Sequence, residues 1–347
     1  MTSRGTKTAM FLATPVAVLM AVLTAVLTAT SGPASAEDAS RRGGAAIDGR
    51  VVIIGVPGLL WSDVSRTNTP ALWGLASEGS AASLSVRTTR VNTCPTDAWL
   101  TISAGQRSRL PHGECALPAA PVLPGQDSPS GPVPEGGAVA PGWPAIKSDN
   151  ADTNYHAQIG LLGDAVQRAG GCTTAVGPGA VFGLGNGGGR VDRYIPSPDG
   201  VTAQDWARCP LTAVEVDDVF RAYLDASVDS EGRQIPLSDD ARAKAAAAAD
   251  RRVGQVLTGL PENTTVLLVG LSDVDVTPHL RVAIAKGPAG DGRSYGPGFV
   301  SSAATRQDGL VTLTDVTSTT LKLLGLPQPK QAVGSPWRPN PSDEPTT

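Results

Sequence analysis

Val51-Val52-Ile53-Ile54-Gly55-Val56-Pro57-Gly58 is the stretch that decides how this chain folds. Its side chains are apolar and mostly β-branched, with no polar residue alternating between them, so the run predicts a strand buried on both faces. Such a strand belongs to a parallel sheet with helices above and below. Working outward, Thr69-Pro70 reads as the N-cap and first residue of a helix, with Leu72, Trp73 and Leu75 turned inward and Gly79 as the stop. A second strand is expected at about 82–88, and a helix opened by Pro95 carries Trp99, Leu100 and Ile102 inward to Gly105.

The alternation continues to the C-terminus. A helix over about 158–169 leads to a strand at 172–176. The Gly-rich run 183–189 lacks the strand–GxGxxG–helix context of a dinucleotide loop and reads as a plain loop. A helix over about 213–226 precedes a longer one that Ser238 caps, with Asp239 and Asp240 in its first turn and Val253, Val256, Leu257 and Leu260 as its buried stripe. Strands at 264–270, 280–285 and 310–313 and a helix over 315–324 complete the pattern. The expected fold class is α/β, a three-layer α/β/α arrangement around a mostly parallel central sheet, forming one domain over 50–328. Within it, 116–149 is rich in Pro, Gly, Ser and Ala without periodicity and is expected to be a flexible surface insertion. The last residues, 329–347, read as a disordered tail.

The N-terminus addresses the chain. Arg4 and Lys7 precede an apolar run from Ala9 to about Ala29, then Gly32-Pro33 and Ala34-Ser35-Ala36, which is the layout of a signal peptide cleaved after Ala36. An uncleaved anchor is the rival reading, because the run approaches the length of a bilayer span. Residues 37–49 are expected to be a flexible lead into the domain. No other segment is apolar enough to cross a membrane. Beyond residue 36 the chain carries 26 basic and 32 acidic side chains without a basic cluster, which argues against a nucleic-acid partner. Cys94, Cys115, Cys172 and Cys209 all lie in the exported part and are expected to form disulfides. Three pairings are open. Cys94–Cys115 with Cys172–Cys209 is preferred, since each closes a modest loop; a four-cysteine zinc site is the alternative, although no CxxC spacing supports it.

In an open α/β sheet, ligands sit where strands end and helices begin. Three such places stand out: Val56-Pro57-Gly58-Leu59, Asn92-Thr93-Cys94-Pro95 and Gly270-Leu271-Ser272-Asp273. Their order and spacing resemble the alkaline phosphatase superfamily, above all its phosphodiesterase and phosphomutase-like branches. Gly309-Leu310-Val311-Thr312-Leu313-Thr314-Asp315-Val316 with Leu323-Leu324-Gly325-Leu326-Pro327 resembles that family's last strand and helix, and Gly160-Leu161-Leu162-Gly163-Asp164-Ala165 its mid-domain helix. The resemblance spans about 50–328. It implies a Thr or Ser nucleophile at a helix N-terminus, matched by Thr93 in Thr93-Cys94-Pro95, and a pair of divalent metal ions, zinc or manganese, held by Asp and His side chains. A helix N-terminus favours an alkoxide and a bound phosphate, but a threonine needs a metal or a base beside it.

At the metal positions the sequence departs from the pattern. Pro57 stands where the family has its first aspartate, and Val274 stands where it has the histidine of Asp-His-Gly. Asp273, Asp275 and His279 are the remaining candidate ligands; His112 and His156 match no family position. Asp273 also reads as a strand-end carboxylate, Asp63 as a helix-start cap, Asp97 as a complement to its helix dipole, Asp315 as a helix cap, and Thr93 itself as a cap. The reading that follows is an exported, metal-free binding or scaffold module with a cell-envelope partner. The alternative is a hydrolase of phosphate or sulfate esters, with Thr93 as nucleophile and metals on Asp273, Asp275 and His279.

Overall fold

The computed structural model describes residues 47–113, 115–226, 230–231, 235–274 and 278–341. The expected leader, most of the segment 37–49 and the last six residues lie outside them. The anticipated strand is β1, Arg50–Gly55, and it sits in the middle of the sheet. It is followed by α1 (Pro70–Glu78), β2 (Ser80–Ser85), α2 (Pro95–Ala104), β3 (Ala138–Val139), α3 (Trp143–Asp152), α4 (Leu161–Arg168), β4 (Thr173–Val176) and α5 (Pro178–Leu184). Next come β5 (Arg190–Val191), β6 (Arg193–Ile195), α6 (Ala203–Arg208), β7 (Leu211–Glu215), α7 (Asp218–Leu224), α8 (Asp239–Gly259) and β8 (Thr264–Val269). The chain ends with β9 (Arg281–Pro288), β10 (Ser294–Tyr295), β11 (Gly298–Ser302), β12 (Gln307–Asp308), β13 (Leu310–Thr312), α9 (Leu313–Leu323) and β14 (Arg338–Pro341).

The strands run in the order β12-β11-β2-β9-β8-β1-β7-β4-β6, and the block β8-β1-β7-β4-β6 is parallel throughout. β9 runs antiparallel to both of its neighbours, β8 and β2. Side chains alternate across β1, which explains its unbroken hydrophobicity. Val51 and Ile53 join one core with α2, α4, α5 and α9, while Val52 and Ile54 join a second core with α1 and α8. Helices therefore cover both faces, and the architecture is the three-layer α/β/α fold with a mostly parallel sheet. The disulfides join Cys94 to Cys115 and Cys172 to Cys209.

Three expectations need correction. Residues 213–226 are not one helix: Leu211–Glu215 is a fully buried central strand, and only Asp218–Leu224 is helical. A run as short as Leu-Thr-Ala-Val-Glu carries no periodicity to separate strand from helix, and its pairing with β1 and β4 decided the matter. The 116–149 insertion is not wholly irregular, because β3 pairs with β5, Val122 bridges to Val139, and α3 begins at Trp143, which is fully buried. Nor is 329–341 a loose tail: Trp337 is buried and β14 pairs with β11.

Candidate functional site

The ends of β1 and β8 and the loop before α2 meet at the carboxyl edge of the sheet. Val56 N–H donates to Val269 O, and Gly58 N–H donates to Ser272 O, so the turn after β1 rests on the segment after β8. That segment binds the loop before α2 in turn. Asp273 N–H donates to Thr93 O at 2.9 Å, and Thr93 N–H donates to Asp273 Oδ2 at 3.0 Å. Thr93 and Asp273, expected as neighbours on the strength of the resemblance, are thus brought together.

Their chemistry differs from that of a nucleophile and a metal ligand. Thr93 is 1% exposed, and its hydroxyl donates to Val86 O at 2.5 Å with Thr88 Oγ1 3.2 Å away. The residue preceding α2 in the capping position is Cys94, so Thr93 lies one residue outside the helix and does not cap it. Asp273 is almost fully buried, and its second oxygen, Oδ1, accepts from Arg281 Nη2 at 2.9 Å. Arg281 is the first residue of β9 and has no solvent exposure; its Nη1 also reaches Gly58 O at 3.3 Å. A guanidinium therefore bridges the ends of β1 and β8, where the resemblance implies a divalent ion. Arg242 of α8 reaches the same carbonyl, with Nη2 3.0 Å from Gly58 O, and also holds Asp63 through Nε at 2.7 Å and Nη2 at 2.6 Å. Asp63 is thereby an ion partner that also accepts from Leu60 N–H at 2.8 Å.

The other candidates do not converge on this place. His279 is exposed, Asp275 lies outside the described residues, and Val274 packs its methyl group against Gly58, where an added Cβ would stand 2.0 Å from Val274 Cγ1. His112 and His156 are exposed, the latter with Nδ1 on Ala151 O. Among the described residues no three His, Cys, Asp or Glu side chains gather as a metal site would require. A dimetal centre takes around six such ligands. With both oxygens of Asp273 engaged and a permanent positive charge beside them, the residues present do not fit a divalent ion.

Two buried acids meet at α2, one packed against it and one within it. Glu215, at the end of β7, accepts from Gly179 N–H at 2.8 Å and from Trp99 Nε1 at 3.2 Å, and burial pushes its carboxyl up to about 7. Asp97, in the first turn of α2, is pushed up by burial to about 6, against the lowering effect of Leu110 N–H at 2.6 Å and of the Arg90 guanidinium. Asp315 closes a capping box at the start of α9, accepting from Thr312 N–H and Ser335 N–H at 2.8 Å each. Sequence reasoning missed Arg281, Arg90 and Glu215. An arginine opening a strand after a polar loop reads as an edge charge, and Glu215 fell within the segment expected to be helical.

No helix among the described residues is long and apolar enough to cross a membrane. No protein-family model matches the chain, and no curated protein matches it. Among solved structures it is similar to a protein in the alkaline phosphatase superfamily from Vibrio parahaemolyticus, at 14% identity over 84% of this chain and 70% of that one, with a TM-score of 0.48. A murine ectonucleotide pyrophosphatase/phosphodiesterase 5 in complex with AMP is similar at 12% identity over 81% of this chain and 96% of that one, with a TM-score of 0.44. The lipoteichoic acid synthase LtaP from Listeria monocytogenes is similar at 10% identity over 86% and 82%, with a TM-score of 0.46.

Proposed function

We propose that this chain is an exported module with an alkaline-phosphatase-like fold that acts at the cell envelope by binding and not by ester hydrolysis. The observation that carries the reading is the buried Arg281–Asp273 pair, a guanidinium where a hydrolase of this kind needs a metal ion. Thr93 supports it from the other side. Its hydroxyl is buried against Val86 O, and among the described residues no carboxylate or imidazole is bonded to it to take its proton. A threonine hydroxyl titrates far above neutrality and stays inert without such a base or a Lewis acid. Export is supported by the leader-like N-terminus and by two disulfides, which persist in oxidising compartments. The acidic charge balance favours an envelope protein or surface polymer over nucleic acid as partner.

The test uses the chain secreted by an expression host. Mass spectrometry is expected to place its N-terminus at Glu37, and retention of residues 1–36 would instead make it anchored. Elemental analysis is expected to find no stoichiometric zinc or manganese. Turnover of p-nitrophenyl phosphate, bis-p-nitrophenyl phosphate and p-nitrophenyl sulfate is expected to be no faster than that of a Thr93→Ala variant. Two equivalents of bound metal, with hydrolysis abolished by Thr93→Ala, would establish the hydrolase alternative.

A further inference from the structure

Two connections leave the carboxyl edge of the sheet in opposite directions. β4 and β7 are parallel neighbours. The chain after β4 enters α5, whose Ala180, Val181 and Leu184 join the core on one face of the sheet. The chain after β7 leads to α7 and α8, whose Val219, Val253 and Val256 join the core on the other face. The strand ends between them form a topological switch point, which is where open α/β sheets place ligands. A crevice of about 340 Å³ lies there, and neither Thr93 nor Asp273 lines it. Small-molecule sites span about 300–1,000 Å³, so the room suffices for a single ring.

Pro178 after β4 and Pro196 and Pro198 after β6 give the crevice rigid apolar walls. Glu215 lies at its floor, but Gly179 N–H and Trp99 Nε1 occupy both its oxygens, so recognition falls to the rim. There Arg221 of α7 gives Nη2 to Asp217 Oδ2 at 2.5 Å. Arg252 of α8 also faces Asp217, with Nη1 3.9 Å from Oδ1, and stands 3.5 Å from Asp218 Oδ2. Both separations exceed the ordinary hydrogen-bond range. Among the described residues, Arg252 thus donates no hydrogen bond and Asp217 Oδ1 accepts none. Neither is sealed off, for the Arg252 side chain is 35% exposed and that of Asp217 14%. An uncommitted donor and an uncommitted acceptor therefore stand side by side within reach of solvent. Two arginines and two aspartates cancel in charge, so the rim suits an uncharged guest.

A hydroxyl is the group that accepts and donates at once. We propose that this crevice binds one uncharged sugar unit, with a hydroxyl between Arg252 and Asp217 Oδ1 and the C–H face of the ring on the prolines. The hydroxyl accepts from the guanidinium and donates to the carboxylate. Arg221 commits only Nη2, which leaves its other nitrogens for a neighbouring hydroxyl. The site goes beyond the binding role proposed above and does not rest on it, since Thr93 and Asp273 take no part. Bound metal or ester turnover would overturn that role and leave this one standing.

Saturation-transfer NMR titration of the secreted, disulfide-bonded protein tests this with the methyl glycosides of glucose, galactose and mannose. Tetrahydropyran, the same ring without hydroxyls, is the control. At least one glycoside is expected to saturate at millimolar concentration and to bind about tenfold more tightly than tetrahydropyran, the worth of one good hydrogen bond. Arg252→Met is expected to bring the glycoside down to the tetrahydropyran affinity and to leave tetrahydropyran unchanged, which a merely structural role would not do. Its thermal unfolding is expected to stay close to the parent's, because exposed ion contacts of this length add little to stability. Arg293→Met, at the opposite edge of the sheet, is expected to change neither affinity. No saturation by any of the three glycosides, tetrahydropyran binding as tightly, glycoside binding unchanged in Arg252→Met, or an equal loss in Arg293→Met would each overturn the proposal.

Discussion

At the scale of single residues, the decisive one is Arg281. It lies at the start of a strand among Asp273, Gly58 O and apolar neighbours, and its charge is compensated almost wholly by one carboxylate. Removing one partner of a buried pair strands the other, so Arg281→Met is expected to destabilise the fold by about 3–5 kcal/mol in urea unfolding at neutral pH. The double variant Arg281→Met, Asp273→Asn is expected to recover part of that loss, because neither charge is then left alone. A loss under about 1 kcal/mol for the single change would mean that the pair is solvated and that a metal has room to compete. In the sequence, Pro57 and Val274 are already visible as residues without ligating side chains at two strand ends. The buried cation beside Asp273 was not legible, because nothing local to Leu280-Arg281-Val282 tells that its side chain turns inward.

At the scale of elements, Glu215 is the joint at which β7, α2 and α5 meet. Its two oxygens take the Gly179 N–H at the start of α5 and the Trp99 indole of α2, and an added Cβ on Gly179 would stand 2.1 Å from Glu215 Oε1. Glycine there lets helix, indole and carboxyl share one space. The folded-state value of about 7 lies above the ordinary 4.5, so between those pH values the folded protein holds a proton that the unfolded chain has released. Stability is therefore expected to fall as pH rises from 4.5 to 7, by up to about 3 kcal/mol, and to level off above. Glu215→Gln is expected to remove most of that slope in denaturant titrations across this range. An unchanged slope would assign it to other groups, Asp97 first. The sequence placed α1, α2, α8, β1 and β8 through caps, prolines and long apolar runs. It misread β7 because five buried residues fit a helix as well as a strand.

At the scale of the whole molecule, the C-terminal segment closes the sheet. Trp337 is fully buried, its backbone N–H donates to Thr319 Oγ1, its carbonyl accepts from Tyr295 Oη, and β14 extends the sheet beside β11. Trp337→Ala is expected to cost about 3–5 kcal/mol, the range for emptying a large core site, and thermal unfolding of the variant against the parent measures it. A shift of less than a degree or two would make 329–341 an appendage after all. The run of prolines and small residues hid this ordering, since composition reports the cost of ordering a segment and not the core that one tryptophan finds. By itself the sequence determined the alternation of strands and helices, the double-sided burial of β1 and the presence of the non-ligating Pro57 and Val274 at two strand ends, because periodicity, capping and side-chain identity are local properties. Only the tertiary structure decided that Arg281 faces Asp273, that Thr93 gives its hydroxyl to a backbone carbonyl, and that Glu215 meets the Trp99 indole. Those facts depend on residues up to 223 positions apart meeting in a low-dielectric interior, where the partner that arrives sets the chemistry of the group it meets.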